Sequence, residues 1–463
     1  MSLYAITLWD SLKYEILNVQ EEDLAEEALT ALRAIATKLS QGLVSSDPKT
    51  ALARYLRPIT NECNEQLQEP QHKQAKPAGQ TLSSLASASP VALYLVVKAT
   101  VPLLLTLIQD ADRIAKQRSL LEVLVQIFDS AISISEDHSP KILAADISNP
   151  LEPFKDRLFE LSSQALMSTG AEEVSFRIVA LRTLLRLCTL PAYLQNNEMG
   201  TVVQYLDEIV LLEESNGRED LKKEAIKALV HVSRIKPHLI MDITFPAFMA
   251  RLPDSSPADR KDYVITLEGL AQLSTEKSIS DTLIRRLLNK LDVVLQHAGS
   301  CAYPQAILST LHYVLGQRDL GQDPNLSIYQ EKIVVGLVSR AVLACTSHER
   351  TPALTDKSIL ETLGRLANKI VQALDEHKQK SVGCQIYTLF AEPQFVPIPY
   401  RKDAPAAQRS TMILSTFLMA GVGKEVNLKP QSKSEAMLIP LRSRWPTPAQ
   451  SQADKVFSRS SSD

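Results

Sequence analysis

A pattern in this chain returns after 144 positions. VPLLLTLIQDADRIAKQRSLLEVLVQIFD, from Val101, and FPAFMARLPDSSPADRKDYVITLEGLAQLS, from Phe245, both open on an apolar residue followed by Pro102 or Pro246. Each then runs an apolar stripe to Asp110 or Asp254 and resumes apolar spacing behind a basic turn. The pattern reads as one helix pair written twice. A unit of this size cannot bury its own apolar face, so its recurrence implies a stack of units that share one continuous core.

Apolar spacing extends that reading along the chain. Leu24, Ala28, Leu32, Ile35 and Leu39, then Val174, Ile178, Leu181, Leu185 and Cys188, then Ile279, Leu283, Leu287, Leu291 and Leu295, all step by three or four. Those are helix periods, and no stretch of comparable length before residue 385 alternates with period two. Aromatics make up 5% of the 463 residues and glycines number 14, while Leu, Ala, Ile and Val carry an apolar share of 45%; that mix suits helices better than strands.

Start and stop signals divide the periodic stretches into pairs: 2–18 with 22–41, 50–69 with 77–97, 102–110 with 113–134, and 151–168 with 172–189. Further pairs are expected at 199–214 with 218–235, 240–252 with 258–274, 279–297 with 303–316, and 326–346 with 355–376. The later units begin 39 to 48 residues apart, the period of HEAT or armadillo units and longer than that of ankyrin or tetratricopeptide repeats. The expected fold is all-α, a HEAT/armadillo-type α-solenoid in which about eight helix pairs form a superhelical stack, with a disordered C-terminal tail. The expected division is 1–135 for N-terminal repeats, 136–150 for a polar linker, 151–390 for central repeats, 391–428 for an irregular segment with a short helix, and 429–463 for a disordered tail.

The longest apolar run, VALYLVVKATVPLLLTLI at 91–108, approaches the length of a membrane span but carries Lys98 centrally and Pro102 shortly after. It reads as a helix end, a turn at 99–102 and a buried helix of the next repeat. No membrane association is expected. The start of the chain, MSLYAITLWDSLKYEIL, carries Asp10 within its apolar stretch and no small-residue cleavage site, so a secretory signal is not expected.

Fifty basic residues against 53 acidic ones leave a formal charge of -3, with no run of five or more Lys and Arg, so direct nucleic-acid binding is not expected. Five scattered cysteines, Cys63, Cys188, Cys301, Cys345 and Cys384, never form C-x-x-C and read as reduced thiols. Lys116 and Arg260, behind the two Asp residues of the repeated unit, are placed to pair with a carboxylate of a neighbouring unit.

Catalytic patterns are missing. GVGKE at 421–425 lacks the earlier Gly and the Ser or Thr of a phosphate loop, and no G-x-S-x-G, H-E-x-x-H or H-x-x-x-H occurs. Glu136, Asp137 and His138 are neighbours on one loop and lack a second cluster to complete a cation site. No catalytic residue, cofactor or metal is therefore assigned. One basic stripe, Arg285, Arg286 and Lys290, lies on a single helix; its ordinary reading is a solvated face, and its functional reading is a contact for acidic partners.

Several passages are more specific than a repeat pattern. EEDLAEEALTALRAIA, NECNEQLQEPQHKQAKPAGQ, QRSLLEVLVQIFDSAI, MGTVVQYLDEIVLLEESNGREDLKKEAIKAL, KPHLIMDITFPAFMARLPD and LEGLAQLS together resemble the fungal branch of the Mms-nineteen family, named for sensitivity to methyl methanesulfonate. The resemblance runs over roughly residues 5–428. It implies a non-catalytic HEAT-repeat adaptor of the cytosolic iron-sulfur protein assembly (CIA) targeting complex. Such an adaptor links targeting subunits to apo-proteins of DNA replication, nucleotide excision repair and transcription, among them repair helicases and polymerases, in nucleus and cytoplasm. Members of that family are longer at both ends, so the chain is expected to be a piece of a larger protein.

Two other readings stay open at this stage. A nuclear transport receptor is also built of helix pairs and would bind a small GTPase according to its nucleotide. An enzyme with an unrecognised site would show a deep polar pocket with converging titratable groups.

Overall fold

Short polar residues set the helix starts. Thr50 and Ser89 accept hydrogen bonds through their hydroxyls from the amides of Ala53 (3.2 Å) and Ala92 (3.1 Å), satisfying donors that have no partner within the first turn. Glu198 does the same in reverse, accepting from the amide of Gln195 at 2.6 Å.

In the computed structural model residues 2–391 are described, apart from 19–20, 42, 44–46, 48, 138–148, 168–169, 171–172, 213–218, 255–260, 297–299 and 347–351. The expectations for the tail, for GVGKE, for His138 and for Arg260 lie outside the described residues. Among the described residues all regular structure is helical.

The chain divides into two compact units, Met1–Gln317 and Arg318–Asp463. The first holds α1 (Ser2–Asn18), α2 (Glu22–Leu39), α3 (Ala51–Leu67), α4 (Ala75–Ala86), α5 (Pro90–Asp110), α6 (Ile114–Asp137), α7 (Lys155–Met167) and α8 (Val174–Thr189). It continues with α9 (Asn196–Leu211), α10 (Glu219–Ile235), α11 (Pro237–Leu239), a π-helical turn (Ile240–Thr244), α12 (Phe245–Arg251), α13 (Lys261–Leu273), α14 (Lys277–Gln296) and α15 (Ala302–Gly316).

Packing in this unit follows a rule. The second helix of each pair touches the second helix of the next, so that α2, α4, α6, α8, α10, α13 and α15 form one unbroken rank. First helices pack against their own partners and, at α1, α3 and α5 and again at α9 and α12, against one another. This is an α-solenoid of the HEAT type: each repeat buries its apolar stripe on the repeats before and after it. The rank continues across residues 138–148, because α6 and α8 pack directly on each other.

Polar contacts pin the repeats in register. Trp9 donates its indole N–H to Glu62 at 2.6 Å, and Lys13 pairs with the same carboxylate at 3.2 Å. Arg186 pairs with Asp129, and Lys155 with Glu198 at 2.9 Å. Three buried tyrosines hand their hydroxyl protons to main-chain carbonyls: Tyr55 to Leu32 (3.3 Å), Tyr193 to Leu151 (3.0 Å) and Tyr303 to Pro253 (3.0 Å). A buried ring with a satisfied hydroxyl adds apolar area and fixes a distance between elements.

Several local expectations are corrected. The chain does not turn at 99–102; α5 runs through Pro102 without a break. A proline within a helix costs about 3 kcal/mol. Burial of Val96, Val97, Val101, Leu104 and Leu105 against α3, α4 and α6, at about 1.5–3 kcal/mol for each side chain, outweighs it. Asn64 of α3 supports this stretch by donating its amide to the Ala99 carbonyl (3.3 Å) and accepting from the Thr100 hydroxyl (3.0 Å). The break falls instead inside the expected helix 77–97, where Ser89 caps and Pro90 occupies the first turn of α5. Pro246 also stands within a helical run, directly behind the π-helical turn, whose wider bore accommodates the missing donor.

Lys116 pairs at 3.0 Å with Asp112, in the bend that leads into α6, and not with a neighbouring unit, because the entry to the helix already brings the two together. In α2 the buried stripe is Ala25, Ala28, Leu32 and Ala36, one position away from the expected Leu24 and Ile35, and Leu24 is exposed. Small residues face the neighbouring helices there because close approach excludes larger ones.

The second unit contains α16 (Leu326–Tyr329), a π-helical run (Gln330–Leu337), α17 (Val338–Thr346), α18 (Lys357–Gln372) and α19 (Glu376–Ala391). Arg318 opens it, paired with Asp323 at 3.0 Å and donating to the Tyr329 hydroxyl at 2.9 Å. Asp356 caps α18 by accepting from Ser358 and Ile359, and α18 and α19 both pack on the π-helical run and α17. α19 had no counterpart among the expected helices.

Candidate functional site

α14 places the basic stripe. Its sequence, KSISDTLIRRLLNKLDVVLQ, buries Ile279, Leu283, Ile284, Leu287, Leu288, Leu291, Val294 and Leu295. That apolar face turns Arg286, Asn289, Lys290 and Val293 outward together, since they follow the i, i+3, i+4, i+7 spacing of one helix face. Phe245, Pro246, Met249 and Ala250 of α12 stand opposite. Between the two helices lies an open groove of about 500 Å³ lined by these eight residues.

The groove has apolar walls and cationic polar groups. Arg286 is exposed and has no ion-pair partner among the described residues, whereas Lys290 is bound to Asp254 at 2.5 Å. The pair is asymmetric: the Lys290 side chain is 14% exposed and that of Asp254 is 92% exposed. Among the described residues no carboxylate lines the groove itself. Arg285 is exposed one position away and does not line it. The structure thus brings two of the three sequence candidates to one groove and leaves the third beside it. The α12 wall was not foreseen, because its apolar residues read as core and only the neighbouring helix shows which of them stay open.

A few titratable groups elsewhere are held in the interior. Asp207 on α9 is 5% exposed, and burial raises its carboxyl to about 7. The Thr244 hydroxyl, on the facing π-helical turn, offsets a little of that penalty, yet neither it nor the carboxylate oxygens are aligned for a proper hydrogen bond. His231 contacts the Thr189 hydroxyl at 3.0 Å, and burial, then the charges of Arg186 and Arg234, lower its pKa. Burial pushes the Cys63 thiol well up and the Cys188 thiol to about 12. Among the described residues no three His, Cys, Asp or Glu side chains cluster closely enough to hold a metal ion.

The family model described as the RNAPII transcription regulator C-terminal region, MMS19_C, matches residues 266–461. The "DNA repair/transcription protein mms19" of Schizosaccharomyces pombe is 25% identical over 395 residues. The chain is thus similar to MMS19 proteins, and its residues 266–461 match the MMS19_C family model. The match spans 83% of this chain and 37% of the S. pombe protein, so the chain corresponds to little more than a third of that relative. The human "MMS19 nucleotide excision repair protein homolog" is 23% identical, over 77% of this chain and 34% of its own length. Among solved structures, a crystal structure of importin beta aligns with a TM-score of 0.43 at 13% identity, covering 89% of this chain and 49% of the other.

Proposed function

We propose that this chain is a non-catalytic HEAT-repeat adaptor acting in DNA repair and transcription, as part of the targeting complex of cytosolic iron-sulfur protein assembly. In this reading it works in nucleus and cytoplasm and holds targeting subunits and apo-proteins of replication, nucleotide excision repair and transcription at the same time. The cluster is cargo carried by partners. The observation that carries the reading is the unbroken rank of second helices in a chain of MMS19 type, since a stack that satisfies its core between neighbours leaves long outer faces for proteins.

The test is affinity purification of the tagged chain from its own cells, scored for assembly-targeting subunits and for iron-sulfur helicases and polymerases. Recovery of both groups is expected. Recovery of neither removes the reading.

A further inference from the structure

The outer wall of α14 is incompletely covered. Val293 is 40% exposed, Pro246 and Ala250 are exposed, and with Met249 they border the groove described above. An apolar trough this size accepts one or two side chains, not the flank of a whole helix. Among the described residues Arg286 and Lys290 line it and no acidic residue does, and exposed Arg285 adds to the positive field. Lys290 is already matched by Asp254, but Asp254 lies almost wholly in solvent, so an incoming carboxylate can take its place with little loss of burial.

We propose that the groove between α12 and α14 docks an acidic segment of a partner protein, with an aliphatic or aromatic side chain seated between Met249 and Val293 and a carboxylate against Arg286. The proposal rests on the adaptor reading and assigns it a contact site. Binding strength comes from the apolar seat, because exposed ion pairs contribute little; the guanidinium supplies orientation and rejects basic segments.

A random 12-residue peptide library displayed on phage, selected on the full chain, tests this. The enriched sequence is synthesised with a fluorescein label, and its binding is followed by fluorescence anisotropy. Enriched peptides are expected to carry Asp or Glu beside Leu, Ile or Phe. Arg286→Glu and Val293→Asp are each expected to weaken the labelled peptide at least tenfold, and Arg285→Glu less than threefold, with melting temperatures within a few degrees of the parent so that lost binding is not lost folding. Selection of nothing, enrichment of neutral or basic peptides, or equal losses in Arg285→Glu and Arg286→Glu would overturn the proposal. The cellular purification separates the two readings. Partners recovered equally by the parent chain and by Arg286→Glu remove the groove and leave the adaptor standing. Loss of partners from the parent chain, with groove-dependent peptide binding intact, removes the adaptor reading alone.

Discussion

Phe248 of α12 packs so closely on Gly269 of α13 that a Cβ at position 269 would lie 2.6 Å from the ring. The contact seats the α12 wall of the groove on the rank of second helices behind it. Phe248 is wholly buried, so its ring has no room to retreat. Gly269→Ala is expected to destabilise the first unit by about 1–3 kcal/mol through overpacking. Phe248→Leu in the same chain should recover part of that loss. Urea unfolding of both variants checks this; a Gly269→Ala chain as stable as the parent would show that the contact has slack.

Asp207 makes stability depend on pH in an unusual direction. Its folded pKa, about 7, lies above the ordinary value of 3.8, so between those limits the folded state holds a proton that the unfolded state has released. The contribution is therefore fully present below about pH 4 and is lost as pH rises through about 7, a swing of up to about 4 kcal/mol. Asp207→Asn should flatten the fall in melting temperature between pH 5 and pH 8. A parent and variant with parallel profiles would sink this account of the carboxyl.

Thiol reactivity should follow burial. At neutral pH iodoacetamide is expected to modify exposed Cys384 and to spare Cys63 and Cys188, whose thiols lie in the interior and resist ionisation. Peptide mapping before and after addition of denaturant reads this directly. Rapid native labelling of Cys63 would mean that α3 opens far more readily than its packing implies.

The ion pair between Arg186 and Asp129 joins α8 to α6 at the surface, while Leu124 of α6 is wholly buried. Asp129→Ala is expected to lower stability by less than about 1 kcal/mol and Leu124→Ala by about 2–5 kcal/mol. Equal losses would reverse the ranking of charge and core in this stack.

The helical class, the stacking of pairs and most element positions were present in residue order, because a period of three to four apolar residues admits only a helix with one buried face. The stripe of α14 is the clearest case: Ile279, Leu283, Leu287, Leu291 and Leu295 are all buried as their spacing requires. Where Pro102 would sit was not legible. Its local cost favours a break, and only burial of α5 by helices distant in sequence, with Asn64 supporting the backbone at Ala99, reverses that preference. The candidate groove was half legible for the same reason. Arg286 and Lys290 follow from helical spacing along one segment, but the opposing wall of Phe245, Pro246 and Met249 exists only after α12 has been seated on Gly269, and close packing between segments leaves no periodic trace in either.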